Sequence, residues 1–501
     1  MTAKQGRQAA AARLAHKPRS AGPLTQRSLA GEGHGRHPAI RYGRSLRIEP
    51  YGAEPIPAEE RHGSVYRQFT LWFAANMVLS VLVTGFFAAS FGLSLWAGIS
   101  AVLVGTFLGS LIVGASAGIG TKLGVPQQVQ GRGPTGFYGN LLPVFLLTTL
   151  SSIGWAAVDT VFAVLALRTL VPIPFWAGAV AIFAIQTALA VWGHNAVHAI
   201  NVGMTVVLGL LFIGVTVVAL HGGHVALSGN AHAALYVSPT AGWITFAGFA
   251  FAYVLTWAPL ASDFSRYLPE TISHTRVAAY TFLGSFVALA WLEILGVLVS
   301  ASAGSLGAIP ALAHLMGPWA PLAMGLVVLS TFPVSAIVLY GSALSLPALG
   351  IPLHRTTAVV VSAGAALAVT LVMQTNPYGS FYDFLDILAY LLMPFSLIIL
   401  LDYFLRMRPA GKQRTVDALY DRRRRIEWGF VAWVIGCGCS ALFWHSPLYT
   451  GLLAGRLARF GDLSYLAGAV AGVGAYLLLY RLPPLSRRFA CRSPACAGPG
   501  T

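Results

Sequence analysis

The stretch Gln68-Phe-Thr-Leu-Trp-Phe-Ala-Ala-Asn-Met-Val-Leu-Ser-Val-Leu-Val-Thr-Gly-Phe-Phe-Ala-Ala-Ser-Phe-Gly92 carries no charged side chain. As a helix rising about 1.5 Å per residue it is long enough to cross ~30 Å of hydrocarbon. Asn76, Ser80, Thr84 and Gly85 fall inside it. Polar and flexible residues at that depth are tolerated where the backbone lines a cavity or meets other protein, so the stretch reads as a membrane span with an interruption. Five spans later, Tyr253-Val-Leu-Thr-Trp-Ala-Pro259 is interrupted again, because Pro259 removes a helical hydrogen bond just after Trp257. Two broken spans at this spacing are what a pair of inverted five-helix repeats would give. Gly and Pro are also common in membrane helices that have no such repeat, and on this ground alone both readings stand.

Outward from these two breaks, apolar stretches recur at roughly 68–92, 95–116, 140–167, 174–193, 199–220, 242–262, 277–301, 316–344, 356–373, 383–405, 428–445 and 462–480. They predict an all-α polytopic protein with twelve transmembrane helices. Residues 68–220 form a first set of five spans, 242–405 a second set, and 428–480 an accessory pair. The 501 residues are 56% hydrophobic and only 10% charged, too little polar surface for a soluble globular chain of this size. The net charge of +16 would suit nucleic acid if it lay on a folded basic face, but Lys and Arg are confined to tails and short loops, so no nucleic-acid partner is expected.

Orientation follows from where these cations fall, since Lys and Arg are retained on the cytoplasmic side. With an even number of spans and the N-terminus inside, 29 of the 32 Lys and Arg are cytoplasmic, and only Arg168, Arg456 and Arg459 lie opposite. The chain therefore reads as integral to the cell (plasma or inner) membrane with both termini cytoplasmic. Residues 1–67, rich in Ala, Arg, His, Gly and Pro without apolar period, read as a disordered cytoplasmic tail and not a signal peptide, and 481–501 as a second tail. Cys437 and Cys439 in one span and Cys491 and Cys496 in the tail make a poor disulfide framework. No His or further Cys stands at ligand spacing from the tail pair, so metal binding there is not expected. Between spans two and three, Gly118 to Asn140 holds too many Gly, with Pro126 and Pro134, to be one helix. It lacks the Gly-Lys-Ser/Thr ending of a phosphate loop and reads as a structured cytoplasmic loop.

Four segments together resemble the nucleobase:cation symporter family, in its purine and cytosine permease branch. They are Gly124-Val-Pro-Gln-Gln-Val-Gln-Gly-Arg132, Gly154-Trp155, Trp257-Ala-Pro-Leu-Ala-Ser-Asp-Phe-Ser-Arg-Tyr-Leu-Pro269, and Phe384-Leu-Asp-Ile-Leu-Ala-Tyr390 through Asp402-Tyr-Phe-Leu-Arg406. Each is weak alone; in order over residues 68–406 they are specific. The resemblance implies a LeuT-like fold, a 5+5 inverted repeat plus two C-terminal accessory helices. It implies a cation-coupled symporter that imports a nucleobase by alternating access, with no cofactor and with Na⁺ or H⁺ as coupling ion. It also implies that the base lies between two tryptophans, which match Trp155 and Trp257; an indole face stacks on a flat heterocycle without needing charge.

Where the family usually has Asn or Gln one turn beyond Trp155, this sequence has Asp159. A carboxyl group near mid-membrane is a functional candidate: a proton carrier, a partner for a cationic or donor-rich substrate, or a structural residue paired elsewhere. In span eight, Leu329-Ser-Thr-Phe-Pro-Val-Ser-Ala-Ile337 places Ser330 and Thr331 where sodium-using members donate two hydroxyls. The carbonyls of Asn76, Leu79 and Val327 would complete such a site; the alternative is that both hydroxyls bond their own helix. The substrate-reading Asn expected six residues after Ser330 is replaced by Ala336, leaving Ser335 as a partial substitute and Ser80 as a further hydrogen-bonding contact. Cytosine, purines, vitamin precursors and allantoin- or hydantoin-like heterocycles therefore all remain candidates.

Glu293, inside span seven, matches no motif. Asp263 with Arg266, and Asp402 with Arg406, read as gate or interface ion pairs, and Arg422 to Arg425 as anchors to anionic lipid headgroups. His194 with His198 and His221 with His224 resemble the iron boxes of a membrane oxygenase, but the topology puts the two pairs on opposite sides of the bilayer, against an enzyme. A channel would need a continuous polar path; two broken helices and bulky aromatics suit an occluding pocket better. The oligomeric state is left open, a monomer being compatible.

Overall fold

In the computed structural model, the described residues are 51–192, 194–222, 238–303, 306–351, 353–445, 449–483 and 485. The expected disorder of residues 1–50, most of the C-terminal tail and His224 lie outside them. Regular structure among the described residues is helical, apart from one bridge between His445 and Thr450.

The first span is two helices, α1 (Tyr66–Asn76) and α2 (Leu79–Phe86). Met77 (φ −83°, ψ 61°) and Val78 (φ −134°, ψ 155°) leave the helical region between them, and the two halves meet at a bend of 62°. Next come α3 (Leu95–Leu123), α4 (Ser151–Leu170), α5 (Phe175–Trp192) and α6 (His194–Gly222). The second interrupted span is α7 (Pro239–Leu255), a 3₁₀ turn at Ala258–Leu260 and α8 (Ala261–Ser265). Then follow α9 (His274–Ser302), a short α10 (Ala308–Met316), α11 (Ala320–Ala348), α12 (Arg355–Met373), α13 (Pro377–Asp402), α14 (Lys412–Tyr420), α15 (Trp428–Phe443) and α16 (Ser464–Leu479).

Among the described residues nine helices are long and apolar enough to cross a membrane, ten if the bent α1–α2 pair is counted as one span. α15 and α16 are 16 residues each, about 24 Å at 1.5 Å per residue. Every apolar stretch expected from sequence thus contains a helix, while α10 is an additional one ahead of the eighth stretch. His194 and His221 stand near opposite ends of α6.

Glycine sets the closest crossing. α2 lies on α9 through Gly85 and Gly296: a Cβ on Gly85 would strike the Glu293 carbonyl, and one on Gly296 the Leu82 carbonyl. Small residues at such crossings let backbones approach where lipid offers no hydrophobic drive for association. α3 packs on α7 and α9, α4 on α11 and α12, and the α15–α16 pair on α13.

The expectation that the tail runs disordered through residue 67 is corrected at its C-terminal end. α1 already begins at Tyr66, and residues 51–65 are bonded across the end of the bundle where α3 stops. Ile56 N–H donates to the Gly124 carbonyl (2.9 Å), and the buried Arg61 guanidinium donates to the carbonyls of Ile56 (3.2 Å) and Thr121 (3.1 Å). Arg266 Nη1 donates to the Gly52 carbonyl (2.8 Å), and Tyr420 donates to that of Ala53. Burial pushes the Tyr420 phenol up, which keeps it a donor. These bonds go chiefly to backbone carbonyls, so hydrophobic periodicity gives no sign of them.

Residues 124–140 form an ordered, mostly buried loop at the same end. Gly124 takes φ 70° to close α3. Asp263 accepts from Gln127 N–H (2.9 Å) and Gln128 Nε2 (2.7 Å), and Arg132 donates to the Ala348 carbonyl (2.9 Å). Asp402 pairs with Arg406 (2.8 Å) and accepts from Tyr476.

Candidate substrate and cation site

The approach to Trp155 is not a uniform α-helix. Phe145–Leu150 winds as a π-helical turn directly before α4, with Thr149 hydrogen-bonded to Ser345 Oγ at 2.7 Å. Such turns cluster at functional sites because they re-aim the residues that follow. Ser151, Ser152 and Trp155, the next residues, line a cavity together with Leu147, Thr256, Trp257 and Val338. The two tryptophans expected to hold a base thus border one small cavity, with room for about one water and far below the ~300–1,000 Å³ usual for drug-sized ligands.

Opposite this cavity, Trp155 is enclosed by rings. Tyr253 (4.9 Å between centroids), Phe384 (5.4 Å) and Phe381 (6.0 Å) all meet it edge-on. Phe384 fits because Gly154 has no side chain where the ring sits. Beyond Phe381, Phe87, Phe249 and Tyr382 continue an aromatic layer, with Phe249 and Tyr382 stacked at 5.3 Å.

Trp257 is fixed through its other end. Its Nε1 donates to Asn76 Oδ1 (2.7 Å), and Asn76 Nδ2 donates to the Trp72 carbonyl (2.6 Å). One side chain therefore ties the break in the first span to the break in the second.

Asp159 and Ser80 are fully buried and lie one step from the cavity, not among the residues that line it. Ser80 Oγ donates to Asp159 Oδ1 (2.7 Å) and is 2.8 Å from Tyr253 Oη. A chain in which Tyr253 donates to Ser80 and Ser80 to Asp159 gives both hydroxyls an acceptor and Asp159 Oδ1 a donor. Asp159 Oδ2, Trp155 Nε1 and Ser335 Oγ are buried without a hydrogen-bond partner. Tyr253 was quoted in the sequence only as the start of a broken span. The signal that it belongs here is its position one turn before Trp257.

The five residues named for a cation site fall on helices in contact, since α11 packs against α1 and α2. Asn76, Leu79, Val327, Ser330 and Thr331 are all buried. Ser330 Oγ donates to the Val327 carbonyl (2.8 Å) and Thr331 Oγ1 to that of Val328 (2.9 Å). This is the self-bonded arrangement weighed from sequence, but each hydroxyl keeps lone pairs that a hard cation can use. Pro333, inside α11, has no N–H for the Leu329 carbonyl, which frees one more oxygen beside Ser330. Glu293 is buried, accepts from Thr106, and has a second carboxyl oxygen without a partner.

Comparison with known proteins places the chain among transporters. A family model described as permease for cytosine/purines, uracil, thiamine, allantoin matches residues 55–468. YxlA of Bacillus subtilis, which bears a provisional purine-cytosine permease designation, is 28% identical over 88% of this chain and 98% of its own. The purine-cytosine permease fcyB of Emericella nidulans is 25% identical over 88% and 89%. Among solved structures, the nucleobase-cation-symport-1 family transporter Mhp1, closed with bromovinylhydantoin bound, superposes with a TM-score of 0.70. It is 20% identical and covers 89% of this chain and 96% of its own, a likeness of fold.

Proposed function

The chain belongs to the family of permeases for cytosine and purines, uracil, thiamine and allantoin, which are multi-pass membrane transporters, and from that premise we propose that it imports a nucleobase, cytosine or a purine, in symport with a cation. The observation that carries this reading is the shared cavity of Trp155 and Trp257 at the second helix break. Two indoles offer faces to a flat ring, and the unpartnered Trp155 Nε1, Asp159 Oδ2 and Ser335 Oγ offer polar contacts to its edge once the site rearranges around it.

In this reading α15 and α16 complete twelve spans, and the end carrying residues 51–65 and 124–140 is cytoplasmic, in accord with its Lys and Arg. The cavity then lies on the cytoplasmic side of Trp155, and the aromatic layer of Phe87, Phe249 and Phe381 closes the outer side. The 5+5 repeat relates the break at Met77–Val78 to that at Trp257–Pro259. Cation coupling is supported by the buried oxygens around Ser330, Thr331 and the end of α1, which suit Na⁺, and by Asp159, which suits H⁺.

A second reading keeps the fold and changes the solute to another heterocycle, a vitamin precursor or a hydantoin-like ring. Asp159 and Ala336 favour it, because they remove the amide donors of the expected pocket. A thermal-shift panel of nucleobases, hydantoins and vitamins, with and without Na⁺, separates the two. A ligand of the native state at a hundredfold its Kd adds about 2.7 kcal/mol of apparent stability. Saturable uptake of labelled cytosine or hypoxanthine into proteoliposomes is expected; no uptake and no thermal shift with any base would end the first reading.

A further inference from the structure

Asp386 and Tyr390 lie one turn apart on α13, and Asp462 stands just before α16. Tyr390 Oη donates to Asp386 Oδ1 at 2.9 Å and also makes a hydrogen-bond contact with Asp462 Oδ2. Asp462 Oδ1 is taken by the N–H (2.8 Å) and hydroxyl of Ser464. Asp386 is 9% exposed, Asp462 4% and Tyr390 2%, and the Trp444 indole, whose ring lies 4.8 Å from that of Tyr390, brings its N–H to Asp386. Asp386 belongs to the wall of a small cavity, with room for about one water, formed with Thr245, Phe249, Tyr382, Tyr390 and Tyr465.

A phenol has one proton to donate. With both carboxyl groups ionised, that proton can serve only one of the two acceptors, and the other carboxylate would face the lone pairs of the phenol oxygen inside the protein. One further proton between Asp386 and Asp462 removes the conflict: a carboxylic acid donates to Tyr390, and Tyr390 donates to the remaining carboxylate. No Lys or Arg is ion-paired with either carboxyl group among the described residues. The other titratable groups facing the cluster are Asp383 and Tyr382 on α13, Tyr465 on α16 and His445 after α15; α7 supplies none to the cavity wall.

We propose that Asp386, Tyr390 and Asp462 form a proton-binding site holding one exchangeable proton between the two carboxyl groups. When Tyr390 passes its proton to Asp462 and takes the one on Asp386, one O–H bond breaks for each that forms, and the net charge of the cluster stays at −1. Loss of the proton to water in the cavity leaves two charges that push α13 away from α16. α13 also carries Phe381 and Tyr382, whose rings join Phe249 in the layer beside Trp155, so the protonation state is connected to that layer. This last link rests on the transporter reading; the proton site does not.

Infrared spectra of the purified full-length chain, recorded across a pH series without substrate, test it. The wild type is expected to show a protonated-carboxyl band that fades as pH rises, and both Asp386→Asn and Asp462→Asn are expected to lose one group's share of it. Asn supplies its own donor to Tyr390, so both variants retain the packing, which thermal unfolding checks. Tyr390→Phe should keep a band but shift its frequency. If both Asn variants keep the full wild-type band and its titration, the site is refuted. Failure of every base in the uptake assay would instead count against the substrate reading alone.

Discussion

Two buried clusters in this molecule set a hydroxyl against carboxyl groups, one carboxyl group in the first and two in the second. In the first, Ser80 stands between Asp159 and Tyr253, so one hydroxyl donates to a single carboxyl group and is itself in contact with a second hydroxyl. In the second, Tyr390 stands between Asp386 and Asp462, so one hydroxyl donor meets two carboxyl groups. The first cluster leaves one oxygen of its carboxyl group without a partner, which the proposed function gives to a ligand; the second, in the proposal above, shares one proton. The comparison teaches that the number of carboxyl groups around the bridging hydroxyl, and not burial alone, separates the two proposals, Asp159 as a contact for a solute and Asp386 with Asp462 as holders of a proton.

The comparison breaks most visibly at Asp159. Asp159→Ala removes the acceptor for Ser80 and a charged hydrogen-bonding group, and is expected to lower uptake of labelled cytosine by roughly 10–100-fold, the range of one charge-assisted bond. Uptake equal to wild type would remove Asp159 from the site. Next in size is Tyr390→Phe, which takes away the sole shared donor and leaves the carboxyl groups facing each other. A loss of about 1–3 kcal/mol in unfolding free energy is expected, read by thermal denaturation. Tyr253→Phe should cost less, about 1 kcal/mol, because Ser80 still donates to Asp159. Equal losses for the two tyrosines would erase the distinction.

The smallest effect is one of pH. A group that holds a proton when folded and releases it when unfolded contributes stability that is present at low pH and lost as pH rises through its folded pKa. Melting temperature across a pH series should therefore fall more steeply in the wild type than in Asp386→Asn. Asp159→Asn, measured the same way, serves as the contrast.

Much of the scaffold was legible because a membrane makes hydrophobicity nearly one-dimensional: length and charge placement alone located the helices. Asn76, Ser80, Thr84 and Gly85 together announce the first break, and the chain leaves the helix at Met77 and Val78, between the first two of them. Pro259 marked the second break for a covalent reason. Less legible was whatever depends on contacts distant in sequence. Asp386 lies on α13 and Asp462 in the turn ahead of α16, and nothing periodic joins them. Tyr253 was visible as a letter of a motif but not as a donor to Ser80, because that role exists only once the first and sixth spans cross. Residues 51–65 were misjudged because hydrogen bonds to carbonyls leave no trace in composition.

That last segment has a practical consequence for anyone trimming this chain for crystallisation or microscopy. Cutting before Tyr51 keeps the Gly52 and Ala53 carbonyls that accept from Arg266 and Tyr420. Cutting after Arg61 would strip the lid from Gly124 and the end of α3, and the purified product would lose monodispersity before it lost helicity.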